Sequence, residues 1–252
     1  MRRAPRIRAV SFDLFDTLVD LEWAPPVEVG GLQLGPSTPA LHAELADENV
    51  TLADFAAALR QVDRAIRLER YVEGREVSTK ERFEALLRSL GRDCDASLVE
   101  RLRAVHMGRL RGQVRELGHH PALLAGLRGR LPLGVCSNFT DACTALRVLD
   151  ESRLAPHLDA VAISESVGWR KPRAEIFEAL VGALRVPPGA LLHVGDNLEA
   201  DVAGAAALGL RTAWLTRRVP DPAAARARYT GPAPDFELAD LSELPALLDA
   251  VA

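Results

Sequence analysis

Asp13 and Asp16 stand three residues apart in the stretch "AVSFDLFDTLVD", and Thr17 follows them. Three further groups have side chains suited to chemistry: Ser137-Asn138 after the apolar run "PLGVC", Lys171 in "GWRKP" just before a helical segment, and Asp196 with Asp201 in "GDNLEAD". An ionised carboxylate can act as a nucleophile. Three of them in one place are costly unless a cation sits among them. A hard cation such as Mg²⁺ takes one or two carboxylates together with substrate oxygens and water. Which residues do this depends on the elements that bring them together.

Five short apolar runs supply those elements: the one ending at Asp13, and those around Val135, Val161, His193 and Trp214. Each is too short for a helix and runs into a polar or glycine residue. Helix-period segments lie between them, at Asp141–Leu149, Ala174–Leu184 and Ala200–Leu208. Strands alternating with helices predict an α/β domain, a parallel sheet with helices on both faces. Ligands bind such sheets at the carboxyl ends of the strands. Asp13, Ser137, Ser164, Asp196 and Thr216 are therefore expected to share one crevice. Residues 20–118 contain no convincing strand pattern. The Pro/Gly-rich passage "APPVEVGGLQLGPSTP" reads as loop or linker. Leu52, Phe55, Leu59, Val62 and Ile66 then recur at helical spacing, Ser78 and Glu81 form a capping-box signature before a second helix, and Leu98, Leu102, Val105 and Leu110 mark a third. An all-helical block thus interrupts the α/β domain after its first strand.

Composition narrows the classes. The 252 residues are 48% hydrophobic and 26% charged, ordinary for a globular chain, and the net charge of −4 provides no basic field for nucleic acid. No apolar run reaches the roughly 18 residues of a membrane span. The basic start "MRRAPRIR" has no apolar stretch after it, so no secretory signal is expected. Cys94, Cys136 and Cys143 lack metal-ligand spacing, which favours a reduced, cytoplasmic setting. Cys136, within a strand run, reads as a small core residue. The six histidines, His42, His106, His119, His120, His157 and His193, show no ligand spacing and receive no role.

Taken in order, Asp13 with Thr17, Ser137-Asn138, Lys171, and Asp196 with Asp201 resemble the four motifs of the haloacid dehalogenase-like (HAD) hydrolase superfamily, in the subfamily with a helical cap between its first two motifs. The resemblance spans nearly the whole chain. It implies a three-layer, Rossmann-like core over residues 1–19 and 119–252 and a cap domain over residues 20–118. It implies that Asp13 is the nucleophile, attacking phosphorus to give an aspartyl-phosphate, and that Ser137 and Lys171 act with it. It implies substrate binding by Thr17 and Asn138. The implied cofactor is Mg²⁺, held by Asp13, the backbone carbonyl of Phe15, Asp196 and Asp201. The substrate would be a small phosphoester, a phosphorylated metabolite. Only Asp13 places a threonine four residues on, as the family pattern requires. Asp16 then occupies the place of a common glycine and reads as a turn residue.

One position departs from that pattern. Phosphatases of the family carry a general acid–base Asp two residues after the nucleophile, and here that residue is Phe15. The haloacid dehalogenases have an aromatic there, since halide leaves without a proton. They lack the metal, however, and have a small hydroxyl residue where this chain has Asp196. Their cap arginine lies among aromatics. The candidate substrate-binding arginine here, Arg60, has none beside it in sequence and shares a stripe with Arg64 and Arg67 that reads by default as a solvated face. A Mg²⁺-dependent phosphatase is the leading expectation. A carbon–halogen hydrolase and a catalytically weakened HAD-fold binding protein are the alternatives.

Overall fold

The computed structural model describes residues 6–251. The chain forms two compact units: one runs up to Asp20 and resumes at Arg115, and the other holds Leu21–Val114.

The first unit is built on a sheet of six parallel strands among the described residues: β1 (Ala9–Phe12), β2 (Leu133–Ser137), β3 (Ala160–Ile163), β4 (Leu191–Gly195), β5 (Arg211–Leu215) and β6 (Phe236–Leu238). Their order is β6-β5-β4-β1-β2-β3. Every residue of β1, β2 and β4 is buried, as expected of strands covered on both faces. This is the α/β core that the alternation of runs predicts. It also has a sixth strand, β6, which the sequence reading lacks: three residues around a glutamate leave no apolar run to find. The helix Ala174–Leu184 packs Ile176, Phe177 and Leu180 against Ala9, Cys136 and Leu191 of the sheet. It comes so close that a Cβ on Gly134 of β2 would lie 2.9 Å from Leu180 Cδ1.

The strand order fixes where a ligand can enter. After β1 the chain adds β2 and β3 on one side, then returns to add β4, β5 and β6 on the other. The reversal lies between β1 and β4, and a crevice opens at the carboxyl ends of the strands at such a point. Asp13 follows β1 and Asp196 follows β4.

One expected helix takes a different form. The Ala200–Leu208 segment begins earlier, at Leu198, with a wide turn through Ala203 before a short α-helix at Gly204–Ala207. The Asn197 carbonyl accepts from both Asp201 N (2.8 Å) and Val202 N (3.3 Å), the second bond spanning five residues. Widened turns of this kind recur at functional sites.

The second unit has four α-helices among the described residues: α1 (Thr38–Glu44), α2 (Leu52–Glu69), α3 (Thr79–Ser89) and α4 (Ala96–Arg111). The expected capping box is present: Glu81 N donates to Ser78 Oγ at 3.1 Å, and Ser78 N donates to Glu81 Oε2 at 2.8 Å. Leu41, Phe55, Leu59, Phe83, Leu86 and Leu102 form a core of this unit's own. The passage read as loop or linker is in part a hairpin, Val27–Val29 paired with Leu32–Leu34. Gly30 and Gly31 turn it at φ +57° and +77°, a two-residue turn that favours glycine at both places. Two further three-residue strands, Val19–Leu21 and Val114–Glu116, lie where the chain passes between the units. The expectation that residues 20–118 contain no strand is therefore corrected. The strands there are three residues long, too short for a periodic signal. No helix among the described residues is long and apolar enough to cross a membrane.

Candidate active site

Asp13 is the first residue beyond β1, and its backbone N–H donates to the Val194 carbonyl of β4 at 2.9 Å. The Lys171 ammonium lies beside it with all three donors used: Asp13 Oδ1 at 2.7 Å, Asp201 Oδ1 at 2.6 Å and the Cys136 carbonyl at 2.8 Å. Burial alone would lower the lysine's pKa, but Asp13 and Asp201 outweigh it and hold the pKa above its ordinary value. Asn138 fixes the lysine's backbone from both sides: Lys171 N donates to its Oδ1 at 2.7 Å, and its Nδ2 donates to the Lys171 carbonyl at 3.0 Å. Both ends of the Asn138 amide are thus engaged with Lys171. Ser137 ends β2 and is buried. Thr17 is fully buried, and its Oγ1 has no hydrogen-bond partner.

Asp13, Asp196 and Asp201 each offer an oxygen within 4.8 Å of the others. Burial raises the Asp13 pKa, with Lys171 pulling against it. Burial, then the charges of Asp13 and Asp201, push Asp196 up to about 8. Asp201 is also buried, but Lys171 and His193 hold its carboxyl below the usual range. Both of its oxygens accept: Oδ1 from Lys171, and Oδ2 from Asn197 N at 3.0 Å. A Cβ on Gly195 would lie 2.2 Å from Asp201 Cγ, so the glycine of "GDNLEAD" leaves the space this carboxyl fills. An all-oxygen set with one carboxyl driven toward its protonated form fits a hard divalent cation.

Phe15, two residues after Asp13, presents a ring to Phe139, with centroids 4.8 Å apart. Asp16 has φ +59°, a left-handed turn conformation that Asp tolerates. Its N–H donates to the Val19 carbonyl at 2.6 Å. Sequence reasoning missed what holds this turn. After β5, Arg217 binds Asp20 through both terminal nitrogens, one at 3.0 Å, and Arg218 Nε lies 3.3 Å from Asp16 Oδ1. It also missed His193, whose ring lies 3.0 Å from both Ser11 and Asp201. No spacing signal marks it, because its neighbours come from the register of β4 on β1 and from the turn after β4.

Arg60 belongs to the helical unit and lines a cavity there of about 300 Å³, together with Trp23, Leu34, Leu59, Asp63 and Arg82. Arg82 binds Asp63 through two nitrogens, at 2.6 and 2.8 Å. Trp23, distant from Arg60 in sequence, is an aromatic among the residues lining this cavity.

Known proteins resemble this chain in sequence and in fold. Residues 7–209 match the haloacid dehalogenase-like hydrolase family. The N-acylneuraminate-9-phosphatase of Homo sapiens is 28% identical over 250 residues, which is 98% of this chain and 95% of that protein. The pyrimidine 5'-nucleotidase YjjG of Escherichia coli is 35% identical over 128 residues, so the match spans about half of each protein: 50% of this chain and 54% of the relative. Among solved structures, the 2-haloacid dehalogenase of Pseudomonas syringae superposes with a TM-score of 0.67 at 26% identity, covering 98% of this chain and 100% of that one. The HAD-hydrolase YfnB of Bacillus subtilis, solved bound to magnesium, superposes with a TM-score of 0.58 at 24% identity, covering 97% and 100%. With a family match across most of its length and solved structures of the same fold, the chain belongs to the haloacid dehalogenase-like hydrolases.

Proposed function

We propose that this hydrolase is a Mg²⁺-dependent phosphatase acting on a small phosphoester, with Asp13 as its nucleophile. The observation that carries the reading is the cluster of Asp13, Asp196 and Asp201, with the Lys171 ammonium bound to Asp13 and Asp201. Phosphoryl transfer depends on positioning and on positive charge beside the transferring group. A carboxylate oxygen of Asp13 attacks phosphorus, the bond from phosphorus to the ester oxygen breaks, and water then hydrolyses the aspartyl-phosphate to release phosphate. Lys171 offsets charge on the nucleophile and the phosphoryl oxygens. Asn138 acts by holding Lys171, and Ser137 and Thr17 offer hydroxyls to the phosphoryl group. Asp196, Asp13 and the Phe15 carbonyl would hold Mg²⁺. Asp201, with both oxygens engaged by protein donors, serves mainly to fix Lys171. Bound Mg²⁺ would supply a second positive charge to the phosphoryl oxygens. The near full-length relation to N-acylneuraminate-9-phosphatase and the magnesium in YfnB support this reading. Three free cysteines fit a cytoplasmic setting.

A second reading has its own observations. Phe15 stands where a phosphatase needs its acid, Arg60 shares a cavity with Trp23, and a 2-haloacid dehalogenase is a structural neighbour. On that reading Asp13 displaces halide from carbon and no metal is required. A panel of phosphoesters and 2-haloacids, run with Mg²⁺ and with chelator, separates the two. Phosphate release that chelator stops supports the phosphatase. Halide release that chelator leaves untouched supports the dehalogenase.

A further inference from the structure

Beneath the carboxylate cluster, a chain of buried polar groups runs back into the sheet. Ser11 of β1 and His193 of β4 are register partners on adjacent strands. Ser11 Oγ lies 3.0 Å from His193 Nδ1, and His193 Nε2 lies 3.0 Å from Asp201 Oδ1. Ser11 is 0% exposed, His193 1% and Asp201 2%. Phe177 closes the remaining side, with its ring centroid 5.2 Å from that of the imidazole in an edge contact.

Donor counting fixes the proton positions. Asp201 accepts from Lys171 Nζ on Oδ1 and from Asn197 N on Oδ2, and the ammonium against it keeps the carboxyl ionised, with no proton of its own to give. The imidazole nitrogen facing it must donate. On the other side, Ser11 is fully buried with the imidazole as its partner, so its hydroxyl hydrogen is satisfied only by donating to Nδ1. Every group is paired when the ring is neutral with its proton on Nε2. The ring then gives Asp201 a third donor without adding charge.

We propose that His193 is a positioning residue: through Nε2–H it fixes the Asp201 carboxylate, which in turn holds the Lys171 ammonium against Asp13. The inference rests on the phosphatase reading for its kinetic consequence, but not for its geometry. Asp201 is pinned by donors from three places: β4, the turn at Asn197, and Lys171. Removing the β4 donor lets the carboxylate rotate, and Lys171 loses the anchor that sets its 2.7 Å approach to Asp13. Small displacements of a charge-stabilising group lower turnover more than substrate binding.

The test combines kinetics with a proton assignment. His193→Leu removes the donor and keeps an apolar side chain in place. His193→Gln can restore an N–H toward Asp201. Expected for His193→Leu is a kcat on an aryl phosphate lower by about 10-fold or more, the size typical of lost outer-shell hydrogen bonds, with KM nearly unchanged. Expected for His193→Gln is recovery of most of that loss. In the wild-type protein, long-range ¹⁵N–¹H NMR should show His193 protonated on Nε2 with slow solvent exchange, the resonance being assigned by its absence in His193→Gln. A folded His193→Leu with wild-type kcat, or a folded His193→Gln no better than His193→Leu, overturns the proposal. So does an Nε2 without its proton, a result that needs no substrate and holds even if His193→Leu fails to fold. A wild-type protein that releases no phosphate from any ester overturns the functional reading instead, and the NMR result still decides this proposal.

Discussion

Phe15 is the residue at which sequence, structure and proposed chemistry pull against each other. Its ring packs on Phe139 where a phosphatase of this family carries its acid, so the leaving oxygen must depart without a proton from that position. Aryl phosphates tolerate this because a phenolate is stable; alkyl phosphates do not. Phe15→Asp is expected to raise kcat on an alkyl phosphate more than on an aryl one, by on the order of 10-fold or more, since a general acid contributes at least that much. Steady-state kinetics on both esters, with melting as the check on folding, measures it; equal rates on the two esters in wild type and no gain in a folded variant would show that another group supplies the proton. Asp196 sets a second expectation. Burial, Asp13 and Asp201 push its pKa up to about 8, whereas an unfolded Asp ionises near 3.8. Between those values the unfolded chain has lost a proton that the metal-free fold keeps, so stability falls as pH rises through this window. Bound Mg²⁺ takes over the role of that proton. The gain in Tm from saturating Mg²⁺ should therefore be larger at pH 8 than at pH 6. Melting curves with and without Mg²⁺ at the two pH values test this, and an equal gain at both counts against Asp196 as a ligand.

At the scale of elements, the turn after β4 does more than link a strand to a helix. It widens at Asn197, and with Gly195 it makes room for a buried carboxyl six residues on. Gly195→Ala places a Cβ 2.2 Å from Asp201 Cγ, closer than any contact the backbone can accept. The variant is expected to melt lower and to lose most of its turnover, because Asp201 must leave Lys171; a variant with wild-type Tm and kcat would show that the turn relaxes freely. Much at this scale was legible in sequence. Five of the six core strands are apolar runs, Ala174–Leu184 has helical period throughout, and Ser78 with Glu81 caps α3 as written. What was missed shares a cause. β6 and the hairpin strands at Val27–Val29 and Leu32–Leu34 are three residues long, and periodicity needs a longer window. The hairpin still had a readable signal, two glycines flanked by V-E-V and L-Q-L, which the prolines around it obscured. The wide turn at Leu198–Ala203 leaves no mark, since its hydrogen bonds differ from those of an α-helix by only one residue in span.

At the scale of the whole molecule, the acidic and serine motifs were legible because each follows a strand end, and a parallel sheet gathers those ends on one edge, while the lysine was legible by its place just before the helix Ala174–Leu184. The partners that orient them were not. His193 reaches Ser11 across 182 residues of sequence, and Arg217 reaches Asp20 across 197, through strand pairings that the sequence does not encode locally. The helical unit has its own core and its own cavity, with Arg60 and Trp23 among its lining. The central claim concerns Asp13, and it is tested most directly by acid-quenching the enzyme during turnover of an aryl phosphate with Mg²⁺ and sequencing the peptide that contains "FDLFDT" by mass spectrometry. The expected result is a phosphoryl group on Asp13, absent when chelator is added first and absent in Asp13→Asn, which should also release no phosphate. An Asp13→Asn enzyme that still turns over at the wild-type rate, with no phosphoryl group on that peptide in either protein, would contradict the account.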